Sequence, residues 1–293
     1  DDDGTSYFYA GDVDNNWVKF GGFYWRIIRI NGDGSIRMIY SGDIESGPVE
    51  TGEATQIGIS AFNEQSNDNA YVGYMYGTPG SSTYEETHAN INDSTIKTVL
   101  DNWYQQNLLS YSEYISTEAG FCNDRTAVSG VYSAPWGTLG YGSNPTAYAS
   151  LGRLYENNSF KSTQYPSLKC SQINNDLFTV NISTKGNHKL IYPIGLITSD
   201  EVIFAGGYLS SGGGVGDNEN YYLHTNEHYW TMSPWYFSAL NSADVFHIHP
   251  LGYPSNGEVE TIFGVRPVIN LDANVTLSGS GTTGDPYVVE GAM

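Results

Sequence analysis

The sequence predicts an α+β fold that is rich in β-strands, with few helices and long loops. Apolar runs of strand length lie near both ends of the chain and are bounded by turns that contain Gly and Asn. Only two segments carry the spacing and caps of helices. Residues 42–90 and 123–187 are rich in Gly, Ser and Asn. We therefore expect a single domain over residues 1–293, with loop insertions at about 42–90 and 123–187.

The first predicted element is a β-meander near the N-terminus. Trp17–Phe20 and Phe23–Ile30 are apolar segments joined by Gly21-Gly22, a two-residue hairpin signal. Asn31–Gly34 then forms a turn into a third strand at Ser35–Tyr40. The sequence therefore predicts three consecutive antiparallel strands.

This meander carries an unusual share of the positive charge. Arg26, Arg29 and Arg37 are a quarter of the 12 basic residues in the chain. Because charged side chains are rarely buried unless they are paired, we expect these arginines on a solvated face of the sheet.

Two helices are predicted further along the chain. The segment Asn92-Asp93-Ser94 offers an N-terminal cap for the first. The apolar residues that follow recur at helical spacing and are Ile96, Val99, Leu100, Trp103 and Leu108. In the second helix, Thr198 and Glu201 have the spacing of a capping box, and Gly206-Gly207 ends it.

The C-terminal third returns to β-structure. Tyr229–Met232 and Phe263–Leu271 are strongly apolar segments, and both read as strands. The region 272–293 should form a hairpin that pairs Val275–Leu277 with Tyr287–Val289 across a Gly-rich turn.

Four residues in these apolar strands are expected in the core. Trp25, Trp230, Val265 and Val268 each lie beside a turn signal, and we expect all four to be almost fully buried.

The two cysteines, Cys122 and Cys170, lie in polar, loop-like surroundings. A buried structural thiol more often lies in an apolar run, and two exposed thiols in a secreted chain usually pair. No C-x-x-C spacing is present, which argues against a redox-active pair. We expect a disulfide, with two free thiols as the alternative.

The composition excludes several classes of partner. The chain has 12 basic and 32 acidic residues, for a net charge of −20, so nucleic acid and anionic membrane surfaces would be repelled. No apolar run reaches the roughly 20 residues of a membrane span. The chain opens with Asp1-Asp2-Asp3 and no Met, and we expect a processed extracellular segment whose signal or anchor lay upstream.

Several of these segments, in this order, resemble the formylglycine-generating-enzyme-like branch of C-type-lectin folds. Residues 196–207 are similar to its strand and Thr-x-x-Glu helix, 229–233 to its aromatic strand, and 264–268 to its closing Gly-φ-Arg-Pro-Val strand. Residues 23–34 resemble an opening hairpin found in surface proteins of gut Firmicutes, some of which have pilin-like anchors. The resemblance implies a C-type-lectin-like fold and a location outside the cell, at its surface.

The same branch includes the variable proteins of diversity-generating retroelements, and residues 233–261 resemble their hypermutated binding patch. Aromatic, His, Asn, Asp and Ser residues crowd there, as in an antibody paratope. The alternative is an ordinary β-rich stretch with a half-buried face. The residues expected to form one exposed ligand-binding patch are Trp235, Tyr236, Phe237, Asn241, Asp244, Phe246, His247, His249, Tyr253, Ser255 and Asn256.

The catalytic and metal motifs of related folds are absent from the sequence. The enzymes of this branch bind copper through a late cysteine pair, whereas both cysteines here precede the second helix. The calcium-binding triplets of sugar-binding C-type lectins do not occur. The pairs His224/His228 and His247/His249 lack the accompanying Glu pattern of a zinc enzyme. We therefore expect no catalytic residue, no metal and no cofactor.

The sequence thus predicts an extracellular ligand-binding or adhesion domain that is not an enzyme. Its partner would be a protein or glycan ligand on another cell or on a phage. Two alternatives remain at this point: a carbohydrate-active enzyme that uses Tyr and Trp as sugar platforms, and a structural pilus or cell-wall subunit.

Overall fold

The computed structural model describes residues 1–129, 139–154, 165–208, 219–238 and 240–292. Within these residues the chain is strand-rich with few helices, the content expected of an α+β fold. The strands are β1 (Tyr7–Phe8), β2 (Trp17–Phe20), β3 (Phe23–Ile30), β4 (Ile36–Asp43), β5 (Ile59–Ser60), β6 (Met75–Tyr76), β7 (Asn92–Asp93), β8 (Phe121–Cys122), β9 (Ala127–Val128), β10 (Thr146–Tyr148), β11 (Leu177–Phe178), β12 (Tyr229–Phe237), β13 (Ala243–Ile248), β14 (Pro254–Glu258), β15 (Phe263–Gly264), β16 (Val268–Leu271), β17 (Leu277–Ser278) and β18 (Tyr287–Val289).

Among the residues described, the helices are short except for one. The α-helices are α1 (Tyr84–Thr87), α2 (Thr95–Asn107), α3 (Ala149–Leu154), α4 (Ile173–Asp176) and α5 (Ser199–Ala205), and 3-10 helices span Glu53–Thr55, Asn69–Val72 and Leu109–Tyr114. No helix in the described part of the chain is long and apolar enough to cross a membrane.

The predicted caps set the ends of the two predicted helices. The Ser94 hydroxyl accepts a hydrogen bond from the Lys97 backbone N–H at the start of α2. At α5, Thr198 and Glu201 form a complete capping box, and Gly206 ends the helix with a φ of 118°. A positive φ of this kind favours glycine, so the sequence signal has a direct steric cause.

The first large sheet contains the predicted meander. Its strand order is β16-β4-β3-β2-β18-β17, and β1 also pairs with β3. Gly21 and Gly22 join β2 to β3 with φ values of 61° and 87°, as a tight two-residue hairpin requires. The predicted C-terminal hairpin forms between β17 and β18, and β18 also lies parallel to β2.

The second large sheet has the order β14-β13-β12-β10-β9. Its long strand β12 pairs with β13 along its length and also with the short parallel strand β15. Strand β14 is at one edge of this order, beside β13. The segment 233–261 therefore lies in the end of β12, in β13 and β14, and in their connections.

One buried apolar cluster joins the two sheets and α2. The four residues predicted to be buried, Trp25, Trp230, Val265 and Val268, each have 0% exposure, which confirms the prediction.

The expectation of solvated arginines is wrong. Arg26, Arg29 and Arg37 are only 2%, 9% and 1% exposed. The Glu201 carboxylate in the first turn of α5 lies 2.9 Å from Arg29 Nε and 2.6 Å from Arg37 Nε. Arg26 lies 4.2 Å from the centroid of the Trp17 ring. These arginines are buried because the tertiary structure supplies them with an anion and an aromatic face.

The disulfide between Cys122 and Cys170 is present, as predicted, and the two Cα atoms are 5.7 Å apart. It joins β8 to the loop that precedes α4. The bond therefore joins the start of the region 123–187 to a point within it, and parts of the enclosed loop lie outside the described residues.

Candidate functional site

The predicted single exposed patch in residues 233–261 does not exist in that form. Successive side chains of a strand point to opposite faces of a sheet. Because β12, β13 and β14 form one antiparallel layer, the predicted residues divide between the two faces and between both ends of the strands. A layer that is covered on both faces leaves few of them in solvent.

Five of the predicted binding residues are buried, which corrects the expectation of exposure. They are Trp235 (2% exposed), Phe237 (0%), Asp244 (3%), Phe246 (0%) and His247 (4%).

Helix α3 explains part of this burial. The rings of Trp235 and Phe246 lie with their centroids 4.2 Å apart and pack in one cluster with Leu151 and Leu154 of α3. On the opposite face, Phe237 joins the main core. The paratope-like composition misled the prediction because aromatic residues also fill a sheet that is covered on both sides.

The buried Asp244 is the centre of a small polar group. Its carboxylate accepts hydrogen bonds from the Ser242 hydroxyl at 2.6 Å and from the Asn256 amide at 2.6 Å. Burial raises the pKa of Asp244, and the hydrogen bonds from Ser242, Asn256 and Tyr236 oppose that shift. Of these residues Asn256 is exposed and Tyr236 half-buried, while Asn241 is exposed in the β12–β13 turn.

The other end of the same strands carries a second group, in which His249, Tyr253 and Ser255 are half-buried. The rings of His249 and Tyr253 stack across the β13–β14 turn, with centroids 4.5 Å apart and an interplanar angle of 11°. Ser255 pairs with His247 in the β-ladder, so it lies on the face of the sheet that holds His247.

Two residues outside the predicted patch complete this group. His228 stacks on Phe263, with centroids 4.7 Å apart and an angle of 18°, and its ring meets that of His249 edge-on at 5.0 Å. Both residues are half-buried. We call His228, His249, Tyr253 and Phe263 the ring cluster.

The buried His247 lies beneath the ring cluster. Its ring centroid is 4.3 Å from that of Phe263 and 5.0 Å from that of His228. Gly257 leaves room for it, since a Cβ there would lie only 3.0 Å from His247 Nδ1. Neither ring nitrogen of His247 has a hydrogen-bond partner within the described residues.

The imidazoles of this group are held neutral by burial. Burial lowers the pKa of His228 and of His249, and it lowers that of His247, with help from His228 and His249, to about 3. Neutral imidazoles beside Tyr and Phe present flat ring faces together with nitrogens that can accept or donate a hydrogen bond. Such a surface suits recognition by stacking and contact rather than by charge.

Of the four histidines considered as metal ligands, His224 is held away from the other three. His224 Nε2 bonds to the Pro250 carbonyl at 2.8 Å, whereas His228 contacts His247 and His249. Within the described residues, no group of three His, Cys, Asp or Glu side chains is arranged to hold a metal ion.

The sequence did not indicate His228 and Phe263 as parts of one site. In the sequence, His228 is half of an i, i+4 histidine pair, and Phe263 begins an apolar strand. The two meet because β15 lies parallel to β12, with Tyr229 beside Gly264. No local sequence signal reports a pairing between strands so far apart in the chain.

No family model, no curated protein and no solved structure matches this chain.

Proposed function

We propose that this chain is an extracellular, non-catalytic ligand-binding or adhesion domain on a C-type-lectin-like scaffold, and that the ring cluster is its binding surface. The partner is a protein or glycan on another cell or on a phage. The observation that carries the proposal is the ring cluster itself: two stacked ring pairs that meet edge-on at 5.0 Å and are half-buried.

The chemistry of the ring cluster supports binding. Tyr, Phe and neutral His offer rigid contact area at a small cost in conformational entropy. Burial is the largest cause of the lowered His247 pKa, and His228 and His249 add to it, so the centre of the cluster carries no charge. A ligand would meet an uncharged aromatic surface on a molecule whose net charge is −20.

The packing of the resembling segments supports the C-type-lectin-like scaffold. The Met232 N–H of β12 donates to the Ile197 carbonyl just before α5, and Gly195 bridges to Val268 of β16. The segment before the capping-box helix therefore lies directly beside the two later segments that share the resemblance.

The buried carboxylates support a non-catalytic function. Glu201 binds Arg29 and Arg37, Asp176 binds Arg125 at 2.7 Å, and Asp101 binds Lys97 at 2.6 Å. Arg153 binds both Asp124 and Asp200. These acids hold elements of the fold together, whereas a glycosidase needs two carboxyl groups that face a substrate.

The disulfide supports a location outside the cytosol, where such bonds form and persist.

The test is a binding screen with ring-cluster variants. The purified domain would be applied to immobilised glycans, whole bacterial cells and phage particles, together with Tyr253→Ala and His249→Ala. Truncating an anchor residue of an interface costs about 2 kcal/mol or more, so binding should weaken roughly 30-fold while the melting temperature stays near that of the wild type. Tyr7→Ala is the matched control, since Tyr7 is 70% exposed and lies outside the cluster.

Three outcomes would contradict the proposal. Binding that survives both ring-cluster variants would place the site elsewhere on the molecule. Release of reducing sugar from glycan pools would make the protein an enzyme. Concentration-dependent self-association without binding to any surface would indicate a structural subunit of a pilus or cell wall.

A further inference from the structure

A second recess lies apart from the ring cluster and shares no residue with it. It is an open groove of about 590 Å³, formed by three loops. The loops are 65–68 before the second 3-10 helix, 79–82 before α1, and 141–144 before β10. Its volume falls within the roughly 300–1,000 Å³ that ligand sites occupy.

The first two loops are fixed to each other by one carboxylate. Asp68 Oδ1 accepts a hydrogen bond from the Ala70 N–H at 2.9 Å, and Oδ2 accepts one from the Gly80 N–H at 2.8 Å. Both oxygens of Asp68 are therefore used inside the protein. Its charge holds the loop at 79–82 in place and is a poor ligand for a cation.

The third loop is fixed by the neighbouring residue. Asn69 is fully buried, and its amide nitrogen donates to the carbonyls of Gly142 and Asn144, each at 2.8 Å. Tyr148 donates in turn to the amide oxygen of Asn69 at 2.7 Å. Two adjacent buried residues thus set all three loops, so the groove is formed before any ligand arrives.

The lining of the groove is neutral and polar. Tyr71 and Tyr141 contribute rings, and amides come from Gln65, Asn67 and Asn144. Serines from two of the loops add hydroxyls, and Asp68 is the one charged residue among the described residues of the lining. A lining with a single charged residue is unusual in a chain that has 32 acidic residues.

We propose that this groove binds a neutral oligosaccharide. Amides and hydroxyls both donate and accept hydrogen bonds, which matches the hydroxyl groups of a sugar. The half-buried Tyr141 offers a ring on which the C–H face of a sugar can stack. An anionic sugar would meet the field of a protein with net charge −20, and no basic residue among those described lines the groove to offset it.

The groove binds its ligand without cleaving it. Glycoside hydrolysis requires two carboxyl groups on opposite sides of the scissile bond. Among its described residues the groove has one, Asp68, and both of its oxygens accept backbone hydrogen bonds. The site is independent of the ring cluster, so the two proposals can fail separately.

The probe is an array of neutral oligosaccharides that includes glucose, mannose, galactose, xylose and N-acetylglucosamine oligomers, with sialylated and sulfated glycans beside them. Titration calorimetry with the best neutral binder would then compare the wild type with Tyr141→Ala and Asn67→Ala. We expect at least 10-fold weaker binding by each variant and an unchanged melting temperature. Tyr7→Ala and the ring-cluster variant Tyr253→Ala should bind the oligosaccharide as the wild type does.

The proposal is overturned if no neutral oligosaccharide binds at millimolar concentration, or if the anionic glycans bind better. It is also overturned if Tyr141→Ala and Asn67→Ala bind the oligosaccharide with the same affinity as the wild type, because binding would then occur elsewhere. Since Asn67 is exposed, its variant reports on binding even if Tyr141→Ala fails to fold. Oligosaccharide binding that is lost in Tyr253→Ala and kept in Tyr141→Ala would assign the sugar to the ring cluster instead.

Discussion

The carboxylate of Glu201 binds Arg37 in the core, with 2.6 Å between Oε1 and Nε, while its other oxygen accepts the Thr198 N–H at 2.9 Å. One side chain therefore caps α5 and neutralises an arginine of the first sheet. Both partners are almost fully buried, at 2% and 1% exposure. The contact between helix and sheet at this point is ionic rather than apolar.

Removing the charge of Glu201 should destabilise the protein strongly. Glu201→Gln keeps the shape but leaves Arg37 and Arg29 without this buried anion, which typically costs about 3–5 kcal/mol. The measurement is the free energy of unfolding in urea. Glu260→Gln, at an exposed position, should change it by less than about 0.5 kcal/mol. Similar effects of the two substitutions would show that the buried ion pair contributes little.

The same pair predicts a loss of stability in acid. Burial raises the pKa of Glu201, but Arg37 and Arg29 lower it by more, so the folded pKa lies below the ordinary value. A depressed carboxyl pKa stabilises the fold above the unfolded pKa of about 4.3, and this contribution is lost as the pH falls through the folded pKa. Below about pH 4 the wild type should therefore lose more stability than Glu201→Gln. Parallel pH profiles of the two proteins would contradict this.

The buried His247 should also make the fold sensitive to acid, in a higher pH range. Its folded pKa is about 3, whereas an unfolded histidine titrates near 6.5. Below about pH 6.5 the unfolded state binds a proton at this residue that the folded state does not bind. The free energy of unfolding should therefore fall by about 2 kcal/mol between pH 7 and pH 5. His247→Gln should reduce that loss. Urea unfolding at both pH values measures it, and equal losses in the two proteins would refute the assignment.

The disulfide should contribute through the unfolded chain. Cys122 and Cys170 are 48 residues apart, and closing a loop of that length stabilises a protein by about 4 kcal/mol in the chain-entropy model. The double variant Cys122→Ala/Cys170→Ala should unfold at a correspondingly lower urea concentration. Thiol titration of the denatured, unreduced wild type should detect no free thiol, and finding two would disprove the bond.

Trp230 should be one of the most costly core residues to truncate. It has no exposure, its ring centroid lies 4.8 Å from that of Phe263, and its indole N–H donates to the Ser60 carbonyl at 2.9 Å. Trp230→Ala should cost about 3–5 kcal/mol in free energy of unfolding. Leu240→Ala is the control, since Leu240 is 91% exposed and should change stability by less than about 0.5 kcal/mol. A small effect of Trp230→Ala would show that the site repacks.

The sequence by itself determined the features that depend on neighbouring residues. Gly21-Gly22 specified the first hairpin because both positions need a positive φ. Thr198 with Glu201 specified the start of α5 because the two residues of a capping box are only three positions apart. The alternation and length of the apolar runs were enough to place Trp25 and Trp230 in the core.

Only the tertiary structure decided which polar and aromatic residues are covered. Arg37 is buried because Glu201, 164 residues further along the chain, reaches it, and Phe246 is buried because α3 lies over its strand. The ring cluster forms because β15 lies beside β12 and brings Phe263 to His228. Burial and recognition surfaces arise from contacts between distant segments, and the residue types in one segment do not report which other segment will cover it.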